Sequence, residues 1–183
     1  VINAAAITPE RMDIDLFGVD QSNGSEGRKA GALEEAHGGT LFVDDIAELP
    51  RETQNKILRV LVDQMFQRVG GSTKIAVDVR IVSSTARNLE ALIAEGKFRE
   101  DLYYRLNVVP VHLPPLRARP EDIGLLTRHF LNLATREGLP SKQIDEDAIA
   151  ILTGMPWRGN VRELKNFIYR LVLTAREDRI SEA

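Results

Sequence analysis

The sequence predicts an α/β domain built on a buried parallel sheet, followed by a smaller all-α unit. Three observations carry this. First, the apolar runs Thr40-Leu41-Phe42-Val43 and Arg80-Ile81-Val82-Ser83-Ser84-Thr85 do not alternate with polar residues. Strands covered on both faces read this way, and such strands belong to parallel sheets flanked by helices. Second, helical segments separate the runs. Third, from Pro120 onward the only periodicity is helical. The split near Leu116–Pro120 gives an α/β part over 1–116 and an α-helical part over 117–183.

Taken in order, Val1 to Asn3 reads as the end of a buried strand and Pro9 to Phe17 as a short helix. Val19 to Lys29 is rich in Gly, Ser, Asn and charge, which is loop chemistry. The Thr40–Val43 strand runs into Asp44-Asp45. Pro50 starts a helix, because its missing N–H costs nothing in the first turn. Ile57, Leu58, Leu61, Val62 and Met65 then recur at helical spacing. Gly70-Gly71 separates Phe66–Val69 from Lys74–Val77 and predicts a hairpin. The Arg80–Thr85 strand follows, then helices over Leu89–Glu95 and Arg99–Leu106, and a last strand over Val108–Leu113 that Pro114-Pro115 stops. In the second part, Pro120 opens a helix carrying Ile123, Leu126, Phe130 and Leu133, ended by Gly138 and Pro140. A helix over Asp147–Thr153 comes next. The last begins at Asn160 as N-cap with Glu163 three residues on, a capping-box spacing.

Composition narrows the setting. The chain has 183 residues, 43% hydrophobic and 28% charged, enough for one domain with a small satellite. It has no cysteine, which excludes disulfides and thiolate metal sites and points to a cytoplasmic setting. A net charge of −3 gives no electrostatic footprint for nucleic acid within these residues. No apolar run is long enough for a membrane span. The opening Val1-Ile2-Asn3-Ala4-Ala5-Ala6 has neither an initiating Met nor the basic start of a signal peptide, so the chain reads as a portion of something longer.

Three places carry chemistry. Asp44 and Asp45 end a buried strand, and open parallel sheets bind ligands at that edge. One acid there can hold Mg²⁺ and a second can polarise water; a turn with two solvated carboxylates reads equally well. Arg99 and Arg105 flank Glu100-Asp101 on a predicted helix. They can project toward phosphates of a neighbouring subunit, or pair locally with those acids on a solvated face. Arg162 falls in the first turn of a helix, where a cation opposes the dipole and invites an external anion; the alternative is pairing with Glu163 or Asp178. No segment matches the phosphate loop Gly-x-x-x-x-Gly-Lys-Ser/Thr. Gly24-Ser25-Glu26-Gly27-Arg28-Lys29-Ala30 lacks a preceding strand and a hydroxyl after Lys29, and reads as a surface loop.

An ordered set of segments resembles the sigma-54 activator family of AAA+ ATPases. They are Leu16-Phe17-Gly18, Gly38–Ile46, Leu58–Leu61, Phe66–Gly71, Phe98–Val108, Leu113–Arg117, Glu121–Ile123, and Trp157 with Gly159–Leu164. The resemblance spans nearly the whole chain. It implies an AAA+ core, lacking its phosphate-binding loop in this chain, followed by a helical lid. It implies ATP and Mg²⁺ as ligands, Asp44 as the Walker B metal-holding aspartate, and Asp45 in the place of the catalytic glutamate. Thr85 falls in the sensor I segment, Arg99 and Arg105 match trans-acting arginine fingers, Arg162 matches the sensor II arginine, and Ile123 falls where the family packs against adenine. It also implies a ring-shaped homo-oligomer in which neighbours complete each site.

The departures refine the expectation. The family carries Gly-Ala-Phe-Thr-Gly-Ala between Leu-Phe-Gly and the Walker B strand, and grips sigma-54 with it. Here the interval Val19–Ala30 is shorter and polar, which argues against direct remodelling of sigma-54 RNA polymerase. That resembles the NtrX-type response regulators. It implies, outside this chain, a receiver served by a sensor histidine kinase and a helix-turn-helix DNA-binding domain, acting on nitrogen-metabolism or respiration-linked genes. Asp45 is a methylene shorter than glutamate, and Ala86 stands where sensor I usually carries asparagine, so slow ATP turnover is expected of an intact domain. A nucleotide-responsive oligomerisation scaffold without significant turnover is the alternative. Arg158 for the family's proline is a loop change.

Overall fold

The computed structural model describes residues 1–20 and 27–181. The chain divides into two compact units, Val1–Pro110 and Val111–Ala183. In the first, β1 (Ile2–Asn3) leads through one 3-10 turn into α1 (Pro9–Phe17), a short α2 (Ala32–Glu35), and β2 (Gly39–Asp44). Then come α3 (Arg51–Asp63), a hairpin of β3 (Met65–Gln67) and β4 (Lys74–Ala76), β5 (Val79–Ser83), α4 (Leu89–Ala94) and α5 (Glu100–Leu106). The sheet has strand order β1-β2-β5 and is all parallel. Asn3 pairs with Asp44 and Val43 with Ser83, so the three strands end at one edge. Leu41 and Val43 of β2 are fully buried, packed with Met12, Leu16, Phe17, Ile57, Phe98 and Leu102 from the surrounding segments. The runs mark the parallel sheet they predict, but the covering of both faces is incomplete among the described residues: burial alternates along β5, where Val82 is 40% exposed.

The interval after α1 is pinched shut at its base. Val19 and Lys29 exchange backbone hydrogen bonds at 3.0 Å, and Asp20 N–H donates to the Val69 carbonyl. Gly18 (φ +77°) and Gly31 touch so closely that a Cβ on Gly31 would lie 2.3 Å from the Gly18 nitrogen. Beside them Arg68, 5% exposed, forks onto Glu34 and reaches Asp20 at 3.6 Å. Its hydrogen bond to Glu34 raises its pKa against the lowering by burial. Of the predicted loop, residues 21–26, including Gly24-Ser25-Glu26 of the rejected phosphate loop, lie outside the described residues.

Two expectations for this unit need correction. Val108–Leu113 is not a strand. Val108, Val109, Val111 and Leu113 are 74–81% exposed, and among the described residues no strand pairs with them or with the outer edge of β5. An apolar run becomes a strand only where a neighbour takes up its backbone groups. The buried face of α3 is also shifted from the predicted stripe. Thr53, Gln54, Ile57 and Val60 are buried, whereas Val62 is 60% exposed and Met65 has left the helix for β3.

The second unit contains α6 (Glu121–Arg136), β6 (Gln143–Ile144), α7 (Glu146–Thr153), α8 (Asn160–Thr174) and β7 (Arg179–Ile180). Its core joins Leu116, Ile123, Phe130, Leu131, Leu152, Trp157, Leu164, Ile168 and Val172. β6 and β7 form a two-residue parallel pair, a strand contact added to the predicted helices. It is too short to leave a periodic trace in sequence, and it ties the C-terminal segment beside α7. No helix of the described residues is long and apolar enough to cross a membrane.

Candidate functional site

The carboxyl edge of the sheet gathers Asn3, Asp44, Asp45 and Ser84 at the ends of β1, β2 and β5. The Asp44 carboxylate accepts a hydrogen bond from the Ser84 hydroxyl through Oδ1 and one from Asn3 Nδ2, at 3.4 Å, through Oδ2. Asp45 turns the chain in the left-handed region (φ +54°). That conformation is tolerated by Asp better than by most residues. It breaks the strand direction, so two successive acids need not point to opposite faces of the sheet as they would within a strand. Both are partly buried, and the Asp45 carboxylate has no hydrogen bond from another residue among the described ones. Thr85 also lies at this edge, but its hydroxyl accepts from the Arg87 N–H at 3.0 Å in a local turn. Ala86 is exposed.

The second group of site residues sits around α5. Arg99 precedes the helix. Its Nε and Nη2 donate to the two oxygens of Asp101 at 2.8 and 2.5 Å, and its Nη1 donates to Asn55 Oδ1 at 2.6 Å. The hydrogen bond from Arg99 holds the Asp101 carboxyl below the usual carboxylate range, and the same bond raises the arginine. The pair therefore adds stability above the ordinary Asp range and loses it as pH falls through the lowered value. Arg105 donates from Nη2 to the Leu61 carbonyl at 3.0 Å, satisfying an acceptor in the last turn of α3. Pairing with the adjacent acids, one of the two sequence readings, thus describes Arg99 but not Arg105, which takes a backbone carbonyl of α3 instead.

Gln54 was not a sequence candidate, yet it sets the place of Arg99. Its fully buried amide donates to the carbonyls of Leu49, at 2.8 Å, and Lys97, at 3.1 Å, and accepts from the Arg99 N–H at 3.0 Å. A polar residue on the apolar face of α3 was the available signal. Gln54→Leu is expected to cost about 2–4 kcal/mol, because three backbone groups lose their partner in a buried place. Urea unfolding checks this, and a loss below about 1 kcal/mol would refute it.

In the second unit, α8 begins beside two non-glycine residues of positive φ, Trp157 (+37°) and Asn160 (+54°). Asn160 is not the N-cap its spacing predicts. Gly159 holds that place, and the Asn160 Oδ1 accepts from the Leu116 N–H at 2.9 Å. Glu163 still reaches back, accepting from the Gly159 N–H at 2.7 Å. Arg162 is exposed in the first turn and makes no ion pair among the described residues. Neither predicted local partner takes it, since Glu163 bonds Gly159 and Asp178 pairs with Lys142. Ile123 has no exposed surface and is a core residue of this unit.

A parallel sheet with paired acids at its carboxyl edge, followed by a small helical unit, is the architecture of an AAA+ ATPase core and lid. Residues 1–112 match the Sigma-54 interaction domain and residues 117–183 match the AAA+ ATPase lid domain; the chain belongs to the sigma-54 interaction domain family. The nitrogen assimilation regulatory protein NtrX of Azorhizobium caulinodans is 57% identical over the whole chain, which spans 40% of that protein. The transcriptional regulator NtrC of Azospirillum brasilense is 51% identical over 93% of the chain and 36% of its own length. Crystal structures of NtrX from Brucella abortus superpose with TM-scores of 0.88 and, for the complex with ATP, 0.85. Each is about 57% identical and covers 94% of this chain and 39% of its own. The chain thus spans about two fifths of the length of these relatives.

Proposed function

We propose that the chain belongs to the central ATP-binding domain of a two-component response regulator controlling transcription of nitrogen-metabolism or respiration-linked genes. In this reading Mg-ATP drives homo-oligomerisation and is hydrolysed slowly. The observation that carries it is the acid pair at the carboxyl edge of the sheet, in a family whose Brucella member has been solved with ATP. The donor set fits a hard cation. Asp44 is flanked by a hydroxyl and an amide, and among the described residues no cluster of three or more His, Cys, Asp or Glu could hold a metal alone. Magnesium usually takes one or two carboxylates together with phosphates. Held by Asp44, it would neutralise charge on the phosphates.

The remaining roles belong to the chain itself. Asp45 orients the attacking water and accepts its proton, with a side chain one methylene shorter than glutamate. Thr85 lies beside the acids at the end of β5. Arg99 and Arg105 exchange their local partners for the phosphates of the adjacent subunit. Arg162, exposed and without an ion pair among the described residues, meets the nucleotide from the lid, and Ile123 supports the lid segment nearest the base. In the whole regulator a receiver meets the sensor kinase and a separate domain meets DNA. The polar interval after α1 leaves direct gripping of sigma-54 outside this reading.

The test is Mg-ATP turnover by the full-length protein over a concentration series, with Asp44→Ala as reference. Per-subunit turnover that rises with concentration and vanishes in Asp44→Ala is the expected result. Turnover equal to that of Asp44→Ala would sink the hydrolytic reading. Nucleotide-dependent assembly without turnover would select the scaffold reading, which the exposed Ala86 and the shorter Asp45 favour.

A further inference from the structure

We propose that Ser84 is a positioning residue that sets the orientation of both acids, a role that rests on the reading of Asp44 as the metal-holding residue. Ser84 directly follows β5 and clasps the acidic turn with every polar group it has. Its N–H donates to the Val43 carbonyl at 3.0 Å, before the turn. Its carbonyl accepts from the Ile46 N–H at 2.9 Å, after the turn. Between these two, its hydroxyl donates to Asp44 Oδ1 and accepts from the Asp45 N–H at 3.4 Å. One side chain thus contacts the carboxylate of the first acid and the backbone of the second.

The neighbouring polar groups do not duplicate this. The Thr85 hydroxyl is engaged by Arg87, Ala86 has none, and Asn3 reaches Asp44 only at 3.4 Å and on the opposite oxygen. Asp45 holds a left-handed conformation that an L residue adopts at a cost. A contact on its N–H, framed by the two Ser84 backbone bonds, helps keep the turn in that state. A carboxylate fixed on one oxygen presents the other in a defined direction. A carboxylate without that bond must lose its rotational freedom when a cation binds. Hydrogen-bond partners of metal-binding carboxylates commonly change metal affinity about 10–100-fold when removed.

The experiment is Mn²⁺ binding to the full-length protein with ADP bound, followed by electron paramagnetic resonance, with thermal unfolding of each metal-free variant alongside. Ser84→Ala is expected to weaken Mn²⁺ binding about tenfold, and Ser84→Thr, which keeps the hydroxyl, to restore affinity to within about threefold of wild type. Should Ser84→Ala unfold well below wild type, Ser84→Cys is read instead. It is close in size, its thiol is a weak donor, and the same loss is expected of it. Unchanged or tighter Mn²⁺ binding without the hydroxyl would overturn the proposal, as would a threonine variant as weak as alanine. Asp44→Ala separates the two levels. If it abolishes binding while Ser84→Ala leaves the affinity unchanged, only the role of Ser84 fails. If Asp44→Ala binds Mn²⁺ like wild type, the metal-holding reading fails and the role of Ser84 falls with it.

Discussion

Arg99→Ala in the full-length protein is expected to lower ATP turnover about a thousandfold while leaving nucleotide binding near wild type. An arginine placed against transferring phosphates stabilises charge that develops only in the transition state, and removing one typically costs that much or more. In the chain by itself Arg99 forks onto Asp101 and touches Asn55, at the surface. Exposed pairs of this kind contribute little net stability, so a phosphate can displace Asp101. The decisive form of the experiment is a mixture. Arg99→Ala keeps its acids and Asp44→Ala keeps its finger, and each is inactive alone. Together they should regain turnover if Arg99 serves the neighbouring subunit's site. No recovery, with mixed oligomers demonstrated, would mean that Arg99 acts within its own chain or not at all. Arg99→Lys should stay impaired, because an ammonium lacks the planar fork.

Trp157→Ala is expected to destabilise the second unit by about 3–5 kcal/mol, the range for deleting a large aromatic from a core. The indole is 2% exposed, sits edge-on to Phe167 with centroids 5.6 Å apart, and donates from Nε1 to the Leu152 carbonyl at 2.7 Å. It also holds a positive φ, unfavourable for a bulky side chain, so its packing outweighs a local backbone cost. The truncation removes apolar burial and a cap on the end of α7 together. Urea unfolding followed by circular dichroism checks the size, and a loss below about 1 kcal/mol would show that the turn before α8 is held by Asn160 and Glu163 instead. The kinetic companion is an altered response to nucleotide, since this turn leads directly into Arg162.

What could be read from sequence follows how local each cause is. β2, β5 and α6 were legible because an apolar run bounded by turn residues, or an apolar stripe at helical spacing, writes itself into a few consecutive residues. The acids were legible because a strand end is a local event. Their environment was not. That Ser84 clasps the turn depends on the register of β2 with β5, and no pattern in either strand states which residues meet. Gln54 was hidden for a related reason. A glutamine on a helix reads as polar surface, and only the path of the segment 97–99 turns it inward. The Val108–Leu113 run shows the converse failure, since apolar composition proposes a strand and no strand among the described residues pairs with it. For Asn160, sequence offered a cap, and the nearby Leu116 N–H claimed its side chain.

The pinch at Val19, Lys29 and Val69 has a consequence for how this family can diversify. Because the two flanks of the interval are joined by backbone bonds and by two glycines in contact, a change of length between them is expected to leave the core in place. The entropy of closing such an interval grows slowly, by roughly 0.6 kcal/mol per doubling of length. The interval therefore behaves as a cassette. A lineage can shorten it, recharge it or exchange it for a gripping tip without refolding the domain beneath, and an engineer can splice at the same two residues.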